Sequence, residues 1–308
     1  MKSISKTLAN QLLTLAWRPL PVRPDRLFFL LGHDRSGSTW LGSTIGYAEN
    51  LIYLHEPMNE KTSLRGNWKL YNQLLAPGEE SPAHRRIYDP AVRGLGTRDL
   101  NLKELRTRAF GSPAVVIKET GGMLLGEWFQ NRYGGKVALI FRHPAPLVVS
   151  NLKMGKPNAL KWLEALTGQE KIMALAGVAP GVESVDRNDV VSIFTASYCI
   201  RYLVTLDQLE RNPEWIRLHY EDFCMDPVRR FQQLYGELGL PFTDRVRERI
   251  MSDSTTDRSE SFFGTRRKTS EMLAKWHGQV DPDMERAIRS TMEAFSFPLY
   301  NRREDWER

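Results

Sequence analysis

Residues 27–41 read LFFLLGHDRSGSTWL, and the expected architecture of the chain follows from this stretch. The apolar run at residues 27–31 predicts a β-strand that is buried on both faces. A loop bounded by Gly32 and Gly37 follows, and a helical pattern begins at Ser38. Successive backbone N–H groups in such a loop, together with the positive end of the helix dipole, favour an anion. The stretch therefore predicts a phosphate site between the first strand and the next helix.

Further strands and helices alternate along the rest of the chain. Apolar runs predict strands at residues 51–54, 114–117 and 137–141, and a weaker alternating pattern predicts one at residues 216–220. Helical periodicity covers residues 160–176, 190–209, 227–238 and 283–295. Asp226, followed by Pro227, is the expected N-cap of the third of these helices. This order predicts an α/β fold with a mostly parallel central sheet that is flanked by helices.

The composition is that of a globular protein. The chain has 308 residues, of which 41% are apolar and 26% charged, so we expect one domain over residues 1–308. Cys199 and Cys224 are too few for a disulfide framework or a four-cysteine zinc site. A reducing compartment, and hence a cytoplasmic location, is the simplest expectation, with a single bridge left open. The net charge of +6 favours an anionic partner without choosing among nucleotide, polysaccharide, nucleic acid and membrane.

Three segments differ from the strand–helix pattern. Residues 1–24 predict an N-terminal helical extension, and no apolar run approaches the roughly 18 residues of a membrane span. Residues 57–113 are long, polar and irregular. Residues 252–270 are rich in Ser and Thr and predict a flexible lid that ends in the basic run Arg266, Arg267 and Lys268.

The loop after the first strand is spaced like the phosphate loop of nucleotide triphosphatases. Gly32, Gly37 and Thr39 fit the pattern G-x-x-x-x-G-K-[ST], but Ser38 stands where that pattern requires Lys. The missing Lys argues against hydrolysis of ATP or GTP. Arg35 supplies a cation inside the loop instead.

Residues 35–41, RSGSTWL, resemble the 5′-phosphosulfate loop of sulfotransferases that use 3′-phosphoadenosine 5′-phosphosulfate (PAPS). The resemblance implies a P-loop-like sulfotransferase fold, with PAPS as donor and no metal. It implies that Arg35 and the backbone amides around Gly37 bind the 5′-phosphate and the bridging oxygen. Hydroxyl groups would come from Ser36, Ser38 and Thr39. Trp40 stands where some members stack a Trp on adenine, and a core aromatic is the open alternative.

A second phosphate site is predicted at the end of the fourth strand. Arg142 ends that strand, where open α/β sheets bind ligands, and Ser150 follows eight residues later on a helix. This spacing resembles the family's motif for the 3′-phosphate. The basic run Arg266, Arg267 and Lys268 resembles, more loosely, the segment that many members close over the same phosphate.

The chemistry implied is transfer of a sulfuryl group, which needs cations and a base for the acceptor proton. Arg35 and Lys118 are the candidate cations, and Glu56 is the candidate base, with a pKa raised toward neutrality for this role. His55 and Glu119 are the alternatives. Thr120 stands where the cytosolic branch of the family has a catalytic His, which disfavours phenol and steroid acceptors.

The sequence thus predicts a PAPS-dependent sulfotransferase that acts on a hydroxyl of a glycan or a small metabolite. Two other functions stay open. A P-loop-like nucleotide kinase or triphosphatase would require a Lys equivalent and a strand-end Asp, whereas the fourth strand ends in Arg142. A non-enzymatic basic module for polyanions rests on net charge alone, and no nucleic-acid motif supports it. The acceptor, the choice between O- and N-sulfation and the oligomeric state are left undetermined.

Overall fold

A computed structural model describes residues 19–59, 70–95, 107, 111–155, 159–255, 273 and 275–307. Within these residues five parallel strands form one sheet in the order β2-β3-β1-β4-β5. The strands are β1 (Leu27–Gly32), β2 (Leu51–His55), β3 (Ala114–Glu119), β4 (Lys136–Phe141) and β5 (Ile216–His219). The first four were predicted from apolar runs and β5 from a weaker alternating pattern, and the expected α/β fold is confirmed.

The described α-helices lie between and after these strands. They are α1 (Ser38–Ile45), α2 (Pro82–Ala91), α3 (Gly126–Tyr133), α4 (Pro144–Lys153), α5 (Ala159–Thr167), α6 (Glu170–Met173), α7 (Val178–Glu183), α8 (Val190–Arg211), α9 (Tyr220–Met225), α10 (Pro227–Leu238), α11 (Asp244–Thr255) and α12 (Pro282–Ala294).

The sheet is buried on both faces. Alternate side chains of β1 point to opposite sides, so Phe29 and Leu31 join one apolar cluster while Phe28 and Leu30 join the other. Helices α3, α4, α8 and α12 cover the first face, and α1, α9, α10 and α11 cover the second. This two-sided burial explains why β1 reads as a continuous apolar run.

The strand order reverses at β1. Strands β2 and β3 lie on one side of β1, and β4 and β5 lie on the other. The chain segments that leave the carboxyl ends of neighbouring strands therefore diverge and leave a crevice, which is where open α/β sheets bind ligands. The loop after β1, the end of β3 and the end of β4 border this crevice.

Several helix boundaries differ from the predictions. The helix predicted at residues 160–176 is two helices, because Gly168 interrupts the pattern and Gln169 turns its amide to the backbone. Gln169 Nε2 lies 2.9 Å from the carbonyl oxygens of both Asn72 and Ala165. The predicted N-cap is confirmed, since the Asp226 carboxylate accepts a hydrogen bond from the Arg229 amide at 3.2 Å.

Two segments that were predicted to be irregular contain helix. Helix α2 lies inside residues 57–113, begins with Pro82 at a favourable position, and buries His84, Tyr88 and Ala91 at helical spacing. Residues 252–255, the start of the predicted lid, form the last turn of α11. The rest of the lid up to residue 270 and most of the predicted N-terminal extension lie outside the described residues.

Among the described residues, α8 is long and apolar enough to cross a membrane. Its apolar window has a mean hydropathy of 1.3, and 72% of that window is buried inside the molecule. The helix packs against α4, α5 and α12. In this fold α8 is a core helix.

Candidate active site

The loop after β1 has a strained backbone. Arg35 and Gly37 have φ values of 68° and 87°, in the left-handed region. A side chain at position 37 would also collide with the ring of Tyr220, since a Cβ there would lie 2.2 Å from it. Glycine is therefore required at position 37, and the strain at Arg35 is of the kind found at ligand-binding loops.

Residues of the two predicted phosphate sites contact each other. Arg35 Nε donates a hydrogen bond to Ser150 Oγ at 2.7 Å, and Arg142 Nη1 donates to the backbone oxygen of Arg35 at 2.8 Å. The Arg142 guanidinium also lies 4.0 Å from the centre of the Tyr220 ring. The loop after β1, the end of β4 and the second turn of α4 are thus in direct contact.

The other loop residues differ in their exposure. Ser36 and Ser38 are buried and Thr39 is exposed. Trp40 is half-buried on α1, and its ring packs edge-on against the rings of Tyr220 and Phe231, with centroids 5.8 and 5.5 Å apart. Trp40 therefore packs as a core aromatic on one side and is partly exposed.

A cavity of about 310 Å³ opens beside Arg142. It lies between the ends of β4 and β5 and the C-terminal segment, and Trp276, Tyr300 and Arg302 form part of its wall. Leu273, which follows the predicted lid, also lines it. Arg266, Arg267 and Lys268 themselves lie outside the described residues.

The candidate base is held in an ion pair. Lys118 Nζ donates to Glu56 Oε1, Thr120 Oγ1 donates to the same oxygen at 3.1 Å, and Asn59 Nδ2 donates to Oε2 at 2.7 Å. The Lys118 side chain is only 1% exposed. Glu56 has φ 48°, again in the left-handed region. The parallel register explains the pairing, because His55, the residue before Glu56, lies opposite Lys118.

The pKa of Glu56 is shifted in the direction opposite to the one expected. Burial raises the pKa of this carboxyl, but the Lys118 ammonium and the hydrogen bonds from Lys118 and Asn59 outweigh burial and lower it to about 2. The prediction of a pKa near neutrality was wrong for this state of the protein. The physical reason is that the two candidate catalytic side chains neutralise each other.

The alternative bases lie close to Glu56. His55 Nε2 is 4.0 Å from Glu56 Oε2, and His55 Nδ1 is 3.1 Å from the hydroxyl of Tyr53. Glu119 is fully buried behind the ion pair, where burial raises its pKa to about 7 although the Met58 amide donates a hydrogen bond to it. Glu119 therefore does not reach the cleft in this conformation.

Arg201 is a buried charge that the sequence analysis did not identify. It is 5% exposed on α8, where Nη1 lies 3.1 Å from Asp34 Oδ1 and Nη2 donates to the carbonyl oxygen of Thr120 at 2.6 Å. It thereby joins the loop after β1 to the end of β3. The available signal was an arginine in the middle of a long apolar helix, because buried arginines are rare unless they are paired.

Two polar atoms, one in the loop after β1 and one after β4, have unused hydrogen-bonding capacity. Within the described residues, Ser36 Oγ and Arg142 Nε are buried and have no hydrogen-bond partner. Buried polar groups normally have partners, so both are available to a bound ligand. The same part of the chain contains no group of three or more His, Cys, Asp or Glu residues that could hold a metal ion.

Comparisons of sequence and of structure with known proteins both find sulfotransferases. The chain is 26% identical over 87 residues to carbohydrate sulfotransferase 3 of Tetronarce californica, and 25% identical over 99 residues to carbohydrate sulfotransferase 3 of Mus musculus. The sulfotransferase domain from the curacin biosynthetic pathway is 16% identical, with a TM-score of 0.51 over 91% of this chain and 100% of that domain. The chain resembles sulfotransferases in sequence and has their fold. The predicted resemblance is thus confirmed.

The extent of this similarity is limited in sequence. The two matches cover 26% and 29% of this chain and only 20% and 21% of the relatives. No protein-family model matches the chain. The sulfotransferase fold therefore extends over most of the chain, while detectable sequence similarity to the curated proteins covers less than a third of it.

Proposed function

We propose that this protein transfers a sulfuryl group from PAPS to a hydroxyl group of a glycan or a small metabolite. The observation that carries the proposal is the contact between Arg142, Arg35 and Ser150, because it puts residues of the two predicted phosphate sites side by side. A nucleotide with phosphates at both ends fits two such sites. The similarity to carbohydrate sulfotransferase 3 supports the transfer reaction and a carbohydrate as one acceptor class.

The loop residues would bind the phosphosulfate end of the donor. Arg35, the loop amides and the unpartnered hydroxyl of buried Ser36 supply positive charge and donors there. Arg142 and Ser150 would bind the 3′-phosphate, since a guanidinium matches the geometry of phosphate oxygens. Arg142 also borders the adjacent cavity, so its side chain has room to turn toward that phosphate.

The transfer step uses the pair at the ends of β2 and β3. A new bond forms between the acceptor oxygen and sulfur, and the bond between sulfur and the bridging phosphate oxygen breaks. The Glu56 carboxylate takes the proton of the acceptor hydroxyl, and the bridging oxygen leaves with the bonding electrons as part of 3′-phosphoadenosine 5′-phosphate (PAP). Arg35 and Lys118 stabilise the negative charge that develops on that oxygen.

Lys118 would have two partners in this scheme. In the structure its ammonium neutralises Glu56 and keeps the pKa of that carboxyl low. The anionic donor competes for the same ammonium. Once Lys118 turns to the donor, burial is left as the main influence and raises the pKa of Glu56, which makes the carboxylate a better base.

The test is incubation with PAPS and a panel of alcohols, phenols, amines and sugars, with products detected by mass spectrometry. We expect the mass gain of one sulfuryl group on a hydroxyl acceptor. Turnover with ATP in place of PAPS, and none with PAPS, would favour a kinase or triphosphatase instead.

Substitution of the base gives the sharper test. We expect Glu56→Gln to lower turnover by about 10²–10⁴-fold while affinity for PAP stays close to that of the unmodified protein. Glu49→Gln, at an exposed carboxylate, is the matched control and should leave turnover unchanged. Undiminished turnover in Glu56→Gln would assign the base to another residue, with His55 the nearest.

A cytoplasmic location stays a prediction. Cys199 and Cys224 are both free and buried, which agrees with a reducing compartment. Cell fractionation with an antibody to the chain would test it.

A further inference from the structure

We propose that Glu119 is a positioning residue, which holds the turn that carries Glu56 and so aims the carboxylate that accepts the proton. The inference rests on the proposed function, because it requires Glu56 to act as the base. Glu119 itself would not contact donor or acceptor.

The hydrogen bonds of this region support such a role. Glu119 Oε1 accepts a hydrogen bond from the backbone amide of Met58 at 2.8 Å, and Met58 lies in the 3₁₀ turn Pro57–Asn59 directly after Glu56. The backbone amide of Glu56 donates to the carbonyl oxygen of Lys118 at 2.8 Å. The last two residues of β3 thus hold the turn at two points, one through the backbone and one through the Glu119 side chain.

The backbone of Glu56 needs such support. Its φ of 48° is unfavourable for a residue with a side chain. A strained conformation persists only when surrounding contacts fix it. The amide of Asn59 donates to the Glu56 carbonyl oxygen at 2.8 Å, which closes the turn. The Tyr71 hydroxyl donates to the Met58 carbonyl oxygen at 3.1 Å, and the bond to Glu119 ties the Met58 amide to the buried end of β3.

The location of Glu119 also favours a role that acts through another residue. The side chain is 0% exposed, and a buried carboxyl is costly unless its hydrogen bonds repay the loss of water. An apolar residue of similar size would fill the same space without that cost. The hydrogen bond to the Met58 amide is a reason to keep a carboxyl at this position.

Two substitutions separate the hydrogen bond from the charge. Glu119→Gln keeps an acceptor oxygen at nearly the same place, whereas Glu119→Met keeps the volume and removes the acceptor. Both are compared with the unmodified protein for PAP affinity by calorimetry, for turnover with the acceptor found in the panel, and for amide hydrogen exchange of residues 56–59 by mass spectrometry.

We expect Glu119→Met to lower kcat by about 10- to 100-fold, because small displacements of a catalytic group have effects of this size. Exchange of the turn amides should become about 3- to 10-fold faster, as expected for the loss of one hydrogen bond. PAP affinity should be unchanged, and Glu119→Gln should restore most of kcat and of the exchange protection.

Other results would overturn the inference. Unchanged kcat in Glu119→Met, or a Glu119→Gln variant as impaired as Glu119→Met, would each contradict it. If Glu119→Met does not fold, Glu119→Asp replaces it, since it keeps a carboxyl but withdraws it by one methylene, and normal kcat in that variant contradicts the inference. If amide exchange becomes faster in Glu119→Met but the unmodified protein transfers no sulfuryl group, the proposed function is overturned. Glu119 then has only a structural role.

Discussion

Arg35 and Glu56 share a backbone property that neither residue type favours. Both have positive φ values, 68° and 48°, and both are charged residues that follow a strand of the sheet, Arg35 after β1 and Glu56 after β2. Such strain costs of order 1–3 kcal/mol for each residue. Backbone strain therefore lowers the stability of the fold at Arg35, which the proposed reaction assigns to donor binding, and at Glu56, which it assigns to proton transfer.

The two arginines make the first prediction at this scale. Arg35→Ala and Arg142→Ala should each weaken binding of PAP by about 1.5–3 kcal/mol, or roughly 10- to 150-fold in Kd, because each removes charged hydrogen bonds. Isothermal titration calorimetry measures the effect. Arg187→Ala, at an exposed arginine, is the control. Unchanged affinity in either cleft variant would remove that arginine from the donor site.

The ion pair between Lys118 and Glu56 leads to a second prediction, which concerns the dependence of stability on pH. Glu56 has a pKa of about 2 in the folded protein and 4.5 as a free group. A lowered pKa contributes stability that is present above pH 4.5 and is lost as the pH falls toward 2. Lys118→Met removes the main cause of the lowering, and burial then raises the pKa of Glu56.

The stability difference between the unmodified protein and Lys118→Met should consequently be largest near neutral pH, and it should shrink as the pH falls from the raised pKa of Glu56 in the variant toward 2. Urea denaturation at a series of pH values measures it. A difference that stays constant through this range would mean that Lys118 does not control the ionisation of Glu56.

At the scale of elements, strands were easier to predict than helix ends. Strands β1 to β4 are apolar runs whose side chains are buried on one or both faces, so their side chains alone identify them, whereas β5 alternates and buries only Leu218. The break after α5 depends on Gln169, whose amide reaches the backbone of Asn72, a residue distant in sequence. Helix α2 did have a local signal in the spacing of His84, Tyr88 and Ala91, but polar residues around them obscured it.

The prediction for the elements of the fold concerns the contribution of Arg201, on α8, to stability. It bonds Asp34 in the loop after β1 and the carbonyl oxygen of Thr120 after β3, so it couples two strand ends. Arg201→Met should destabilise the fold by about 3 kcal/mol, the lower part of the range for breaking a buried pair, since partly exposed Asp34 can gain water. Thermal or urea denaturation measures the loss.

The double variant Asp34→Asn with Arg201→Met distinguishes coupling from simple loss of packing. We expect its destabilisation to be smaller than the sum of the two single effects, since the partners interact directly. Additive effects would show that the two residues contribute independently.

At the scale of the whole molecule, the sheet order brings the site together. The motifs around Arg35 and Arg142 are about a hundred residues apart in sequence, and the predicted parallel sheet put both at carboxyl strand ends. The placement of β4 next to β1 was not predictable from the sequence, and it is this neighbour relation that allows Arg142 to contact the Arg35 backbone. Likewise, the pairing of Glu56 with Lys118 depends on the register of β2 against β3.

The most direct measurement compares PAP with adenosine 5′-phosphate, which lacks the 3′-phosphate, by calorimetry on the unmodified protein and on Arg142→Ala. We predict that the unmodified protein binds PAP at least about tenfold more tightly, and that Arg142→Ala loses most of this preference while its affinity for adenosine 5′-phosphate changes little. Equal affinity for the two nucleotides in the unmodified protein, or a preference for PAP that survives in Arg142→Ala, would contradict a cleft in which these two strand ends bind one doubly phosphorylated nucleoside.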